Sequence, residues 1–100
     1  MILRIDTDRR SVLFDEAEDC KRLSAVVSGG GDLRAALGAL GEADMDGMHL
    51  WIAIDALRKG AMPADDAAWG ERFDGMVRYA RSKGWTDASQ QRVRVHIARP

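Results

Sequence analysis

Histidine is the side chain most often used for acid–base chemistry near neutral pH, and the chain has two, His49 and His96. Both lie in segments where apolar and polar residues alternate, so the two imidazoles would approach each other if these segments were neighbouring strands. Neither histidine has further metal ligands at a helical or turn spacing, and no serine lies in a nucleophile elbow. We therefore predict surface or partly buried histidines, no metal site and no cofactor, and the sequence favours a protein that is not an enzyme.

An acidic turn precedes the first histidine and resembles the start of a calcium-binding loop. Oxygen-bearing side chains take positions one, three and five of such a loop, and glycine takes position six: Glu42, Asp44, Asp46 and Gly47. Position twelve is Ala53, where a calcium loop requires a bidentate glutamate. The pattern therefore favours a solvated turn.

Three consecutive glycines at 29–31 resemble a loop that presents backbone amides to a phosphate group. A phosphate loop would continue with lysine and then serine or threonine, and this chain has Leu33 and Arg34 instead. Asp32 would also repel a phosphate at this position. We predict a flexible turn, with Asp32 as the N-cap of a helix over 32–40.

Cys20 is the only cysteine, so an internal disulfide is impossible. Its neighbours Lys21 and Arg22 would favour a reactive thiolate, whereas the acids Glu18 and Asp19 oppose it. We predict a half-buried structural thiol.

Residues typical of binding surfaces gather if the segments 48–54 and 92–97 are strands of one sheet. The face turned away from the helices would then carry His49, Trp51, Arg92, Arg94 and His96, with Arg4 as a further candidate. Tryptophan and arginine are enriched where proteins bind partners, and a tryptophan on an open sheet face requires an explanation. The alternative is that a loop or the chain terminus covers Trp51.

This surface leads to three functional hypotheses. The first is a non-catalytic protein-interaction or regulatory module that binds another protein or a second copy of itself. The alternative is a small-ligand binding protein, for an anionic or aromatic ligand, or a minor enzyme with His49 and His96 in a pocket. The third is nucleic-acid binding, which the formal net charge of −1 and the small number of stacking residues disfavour.

One long amphipathic helix over about 64–83 is the element predicted most directly. An apolar stripe at helical spacing contains Trp69, Phe73, Met76, Val77 and Ala80. Pro63 fits a first helical turn, and Asp65 and Asp66 complement the positive end of the helix dipole. Gly84 fits a left-handed position after the helix, with Trp85 folding back on Ala80.

The remaining segments are short. Residues 2–5 and 11–14 predict a hairpin, Asp15 and Glu18 form a capping-box pattern for a helical turn, and 92–97 alternates strictly. Segments 22–28 and 48–54 fit either a strand or a helix; we favour strands, with a short helix from Asp55 to Gly60. The predicted fold is α+β: a small antiparallel or mixed sheet of four to five strands, with one long amphipathic helix and one or two short helices packed on it.

Composition sets the outer bounds. One hundred residues, 46% of them hydrophobic and 31% charged, predict a single globular domain. No apolar run approaches the length of a membrane span, and the amino-terminal residues do not resemble a signal peptide, so we expect a cytoplasmic protein without a membrane partner. The arginine-, alanine- and glycine-rich composition is typical of a GC-rich bacterial genome.

Overall fold

The computed structural model describes residues 1–62 and 68–98, which form a curled six-stranded mixed sheet with three short helices. The strands are β1 (Ile2–Asp6), β2 (Ser11–Asp15), β3 (Ser24–Ser28), β4 (Gly41–Ala43), β5 (His49–Ala53) and β6 (Arg92–Ile97). The helices are α1 (Leu33–Leu37), followed by a 3₁₀ turn at Gly38–Leu40, then α2 (Ile54–Ala61) and α3 (Trp69–Ser82).

The strands lie in the order β2-β1-β3-β6-β5-β4. The central pairs β1–β3 and β3–β6 are parallel, and the pairs β1–β2, β5–β6 and β4–β5 are antiparallel. Two segments that the sequence left open between strand and helix are strands, at 24–28 and 49–53. The outermost strands in the order, β2 and β4, are the edges of the sheet.

The prediction of four to five strands with one long helix over about 64–83 is wrong, because the sheet has six strands and its longest described helix has 14 residues. The strand that the sequence did not reveal is β4, which begins at Gly41, directly after the segment predicted to be a helix. Gly41 pairs with Ile52, and a Cβ at Gly41 would overlap the carbonyl oxygen of Trp51. Glycine is therefore required here because the two backbones approach closely.

The ends of the helices test the capping residues predicted from the sequence. Asp32 caps α1 as predicted, with its carboxylate accepting a 2.9 Å hydrogen bond from the Arg34 N–H. The helix predicted over 32–40 is shorter, because α1 ends at Leu37 and a 3₁₀ turn follows. The capping-box prediction at Asp15 is wrong: Asp15 ends β2, and no helix follows it because Glu16 has a φ of 50°. The predicted helix start at 63–66 lies outside the described residues.

The predicted end of α3 is confirmed. Gly84 has a φ of 75°, its N–H donates to Arg81, and the Trp85 N–H donates to Ala80 at 2.9 Å. These are the two hydrogen bonds of a Schellman motif, which satisfy carbonyl groups that the last helical turn leaves unpaired. The motif turns the chain back towards the sheet.

A single core lies between the sheet and the helices. The inward residues of the central strands are fully buried with the apolar stripe of α3; they include Leu3, Ile5, Leu50, Ile52, Val93, Val95, Trp69, Phe73 and Val77. The indole of Trp69 stacks on Phe73, and its Nε1–H donates a 2.7 Å hydrogen bond to the Ala17 carbonyl. This bond ties α3 to the segment between β2 and β3, because a buried indole requires an acceptor.

None of the helices in the described parts of the chain combines the length and the apolar character that crossing a membrane requires.

Candidate functional site

The five residues predicted to share a surface do lie on one face of two neighbouring strands. Across β5 and β6, His49 is opposite His96, Trp51 is opposite Arg94, and Ala53 is opposite Arg92. Their side chains point away from the core, onto what we call the outer face, since the alternate residues of both strands are buried. Trp51 is partly exposed on this face.

The acidic turn between β4 and β5 folds against this face and holds Arg94. The Arg94 Nε lies 3.0 Å from an oxygen of Asp44, and its Nη2 lies 2.8 Å from Asp46 Oδ2. His49 Nδ1 lies 2.6 Å from that same Asp46 oxygen. One carboxylate therefore orients both the guanidinium and the imidazole.

Asp46 is held by backbone as well as by side chains. Its other oxygen accepts hydrogen bonds from the Met48 N–H at 2.8 Å and the His49 N–H at 3.1 Å. The Met48 hydrogen bond, with further contributions from His49 and Arg94, outweighs the opposing effect of desolvation and lowers the pKa of Asp46 to about 2. The turn predicted to be merely solvated is thus part of the site.

Two of the predicted arginines are engaged elsewhere. Arg92 makes a 2.6 Å ion pair with Glu42 of β4, at the far end of the β5–β6 pair from the histidines. Arg4 lies on β1, separated from β5 by β3 and β6, and pairs with Asp15 at 2.7 Å. Arg4 therefore does not join the other five residues.

Three of the predicted residues line a cleft of about 270 Å³. This cleft, which we call the histidine cleft, is lined by Leu23, His49, Trp85, Arg94 and His96. The two imidazole rings meet edge to face, with their centroids 5.3 Å apart. Trp51 and Arg92 lie on the same face outside this cleft.

Sequence reasoning missed Trp85 as a residue of the site, although it lines the cleft beside the two histidines. β3 and β6 pair at only two positions, Ser24 with His96 and Ala25 with Ile97. The chain after α3 fills the space beside the first half of β6, where the Arg94 N–H donates to the Trp85 carbonyl at 2.8 Å. The Schellman ending was a usable signal, because it directs Trp85 back towards the molecule.

Trp85 also connects the cleft to a second concave surface. Its ring meets that of Tyr79 edge to face at 5.8 Å, and 45% of Trp85 and 56% of Tyr79 remain exposed. Beyond them a larger groove of about 640 Å³ runs between α3 and residues 18–21. Lys21, Met76 and Tyr79 line both this groove, whose rim also carries Glu18, Asp19 and Arg72, and a smaller cavity of about 90 Å³ that Trp85 lines as well. We call the surface formed by Lys21, Met76, Tyr79 and Trp85 the aromatic groove.

The ligand atoms of Asp44, Asp46 and His49 lie within 4.8 Å of one another, so this cluster has the donor types of a divalent metal site. Arg94 already makes ion pairs with both carboxylates, and Asp46 also holds His49. A metal ion would have to displace these contacts. Within the described residues no hydroxyl or thiol group hydrogen-bonds to either imidazole.

Comparisons with protein-family models, curated proteins and solved structures gave no match to this chain.

Proposed function

We propose that this protein is a non-catalytic interaction module that binds another protein through the aromatic groove and the adjoining histidine cleft. The observation that carries the proposal is the exposed pair of rings, Tyr79 and Trp85, between two concave surfaces. Tyrosine and tryptophan supply large contact areas at a low cost in side-chain entropy, and they dominate the energetics of many protein interfaces.

The rings are held in place before any partner arrives, which favours binding. Trp85 follows the Schellman motif and is also hydrogen-bonded through its backbone to β6, so its position is fixed from two directions. Tyr79 lies on α3, and Lys83 lies over its ring at 5.5 Å. Prearranged anchors reduce the ordering cost that association otherwise incurs.

The histidine cleft would contribute specificity at one end of this surface. His49 and Arg94 are fixed by Asp46, while His96 is exposed and free to form hydrogen bonds with a partner. Because Arg94 is already paired with two carboxylates, a strongly anionic partner is disfavoured. A neutral or mildly polar surface with an apolar centre fits better.

A comparison of variants in affinity capture tests the proposal. Tagged wild-type protein and the double variant Tyr79→Ala/Trp85→Ala would be incubated with a lysate of the source organism, and the bound proteins quantified by mass spectrometry. The matched control is Met45→Ala/Met62→Ala, which removes two other exposed apolar side chains. We expect a protein that the wild type and the control retain and the aromatic variant loses. A partner held equally by all three would refute this use of the groove.

A second candidate function follows from the shape of the histidine cleft. A volume of about 270 Å³ beside Trp85 and two imidazoles suits a small aromatic ligand. Such a ligand should raise the melting temperature of the wild type but not of His96→Ala, which removes one wall of the cleft without disturbing Asp46. No stabilisation by any member of an aromatic fragment library would exclude this candidate.

A further inference from the structure

β2 is an open edge of the sheet. Within the described residues its backbone forms ladder hydrogen bonds with β1 alone, and no other segment covers its outer side. In an antiparallel pair, alternate residues direct their N–H and C=O groups away from the partner strand. β2 therefore presents unpaired donors and acceptors at the surface.

This edge lacks the usual protection against pairing. Natural edge strands are kept apart by charged side chains, proline, bulges or very short length. β2 is a regular strand of five residues without proline, and its one charged residue, Asp15, is paired with Arg4 of β1. Leu13 on its outer face is 66% exposed. The opposite edge is different, because β4 has only three residues and its Glu42 is bound to Arg92.

We propose that two copies of this chain associate by antiparallel pairing of their β2 strands, which joins the two sheets into one. In the register that pairs all five residues, Leu13 lies opposite Leu13 of the second copy. Val12 then lies opposite Phe14, and Ser11 opposite Asp15. A two-fold axis through the Leu13 pair keeps the outer faces of both copies on the same side.

The charges flanking β2 are self-complementary in this register. Arg10 and Glu16 border the strand, and neither side chain forms an ion pair with any residue in the described parts of the chain. Both residues have a positive φ, 53° at Arg10 and 50° at Glu16, so they lie just outside the ladder. Antiparallel pairing about Leu13 places the Arg10 side chain of each copy near the Glu16 side chain of the other, so the contact occurs twice.

Neighbouring registers are worse. A shift of two residues one way places Glu16 opposite Asp8, where like charges repel. A shift the other way pairs only residues 13–15 of each copy, because the chain has already left the strand at Glu16, where φ is 50°. The number of paired residues and the flanking charges thus favour one symmetric dimer.

Five residue pairs form a small interface, so we expect a reversible dimer with a dissociation constant of about 1–100 µM. Sedimentation velocity over about 1 to 200 µM tests the proposal on the full chain. The wild type should shift from monomer to a dimer of twice its mass. Leu13→Arg, at an exposed position that should not affect folding, should leave only monomer.

A charge exchange tests the register. Arg10→Glu and Glu16→Arg alone should each weaken the dimer by about tenfold, since each reverses two symmetric contacts, and the combined variant should restore wild-type affinity. Met45→Arg, at another exposed apolar position, should leave the dimer unchanged. A wild type that stays monomeric throughout, or a combined variant that is not restored, would overturn the proposal.

Tyr79→Ala/Trp85→Ala separates this inference from the proposed function, since it alters the aromatic groove and leaves β2 intact. We expect this variant to dimerise like the wild type. If it is monomeric, copies meet through the groove and the β2 dimer is refuted.

Discussion

Trp69→Phe should destabilise the protein strongly, because the indole is both packed and hydrogen-bonded. Trp69 is 1% exposed, stacks on Phe73 with ring centroids 5.0 Å apart, and donates to the Ala17 carbonyl at 2.7 Å. Loss of the hydrogen bond costs about 1 kcal/mol. The smaller ring leaves a cavity that costs about 1–2 kcal/mol more. We therefore expect the free energy of unfolding to fall by about 2–3 kcal/mol.

Urea unfolding followed by circular dichroism measures this change, since tryptophan fluorescence would differ between the variants for other reasons. The matched control is Trp85→Phe, at a tryptophan that is 45% exposed and has no side-chain hydrogen bond among the described residues. The control should lose no more than about 0.5 kcal/mol, with an unchanged dependence on urea concentration. Equal losses of unfolding free energy in the two variants would refute the conclusion that the Trp69 side chain anchors α3 to the segment between β2 and β3.

Two further predictions concern the β4–β5 region. Gly41→Ala should lower the free energy of unfolding by about 1–3 kcal/mol, because the added Cβ overlaps the Trp51 carbonyl. Urea unfolding measures this loss, and a variant as stable as the wild type would contradict the close approach of the two backbones. Asp46→Asn should flatten the pH dependence of the melting temperature. A carboxylate with a native pKa of about 2 and an unfolded pKa of about 4 stabilises the native state above pH 4 and loses that contribution as the pH falls towards 2. Thermal scans between pH 2 and 5 measure how the melting temperature depends on pH. If this carboxylate has no such role, the wild type and Asp46→Asn will show the same dependence.

Local sequence patterns correctly predicted those elements whose structure depends on local interactions. The strict alternation of Val93, Val95 and Ile97 identifies β6 and its buried face. The end of α3 depends on Gly84 and on hydrogen bonds within five residues, all of which are readable from the sequence. The alternation in β5 also gives the outward direction of Trp51.

Features that depend on distant pairing were not predictable. β4 is too short to show a period, and it is a strand only because Gly41 permits β5 to approach. The contact of Arg94 with Asp44 joins residues 50 positions apart, so the acidic turn gave no local sign of its role. Trp85 reaches the cleft only because β3 and β6 pair so briefly. Each of these is set by which strands become neighbours.

The arginines on the outer face of the sheet are all paired with carboxylates, which bears on how the proposed interaction would be selective. Each arginine on a described strand has a carboxylate partner: Arg4 with Asp15 on the adjacent β2, Arg92 with Glu42 on β4, two strands away, and Arg94 with Asp44 and Asp46 in the turn between β4 and β5. Such partly exposed pairs add little stability, but they leave no strand arginine free to attract phosphate groups. In the proposed interaction, selectivity comes from the exposed rings of Tyr79 and Trp85 and from the shape of the two concave surfaces between which they lie.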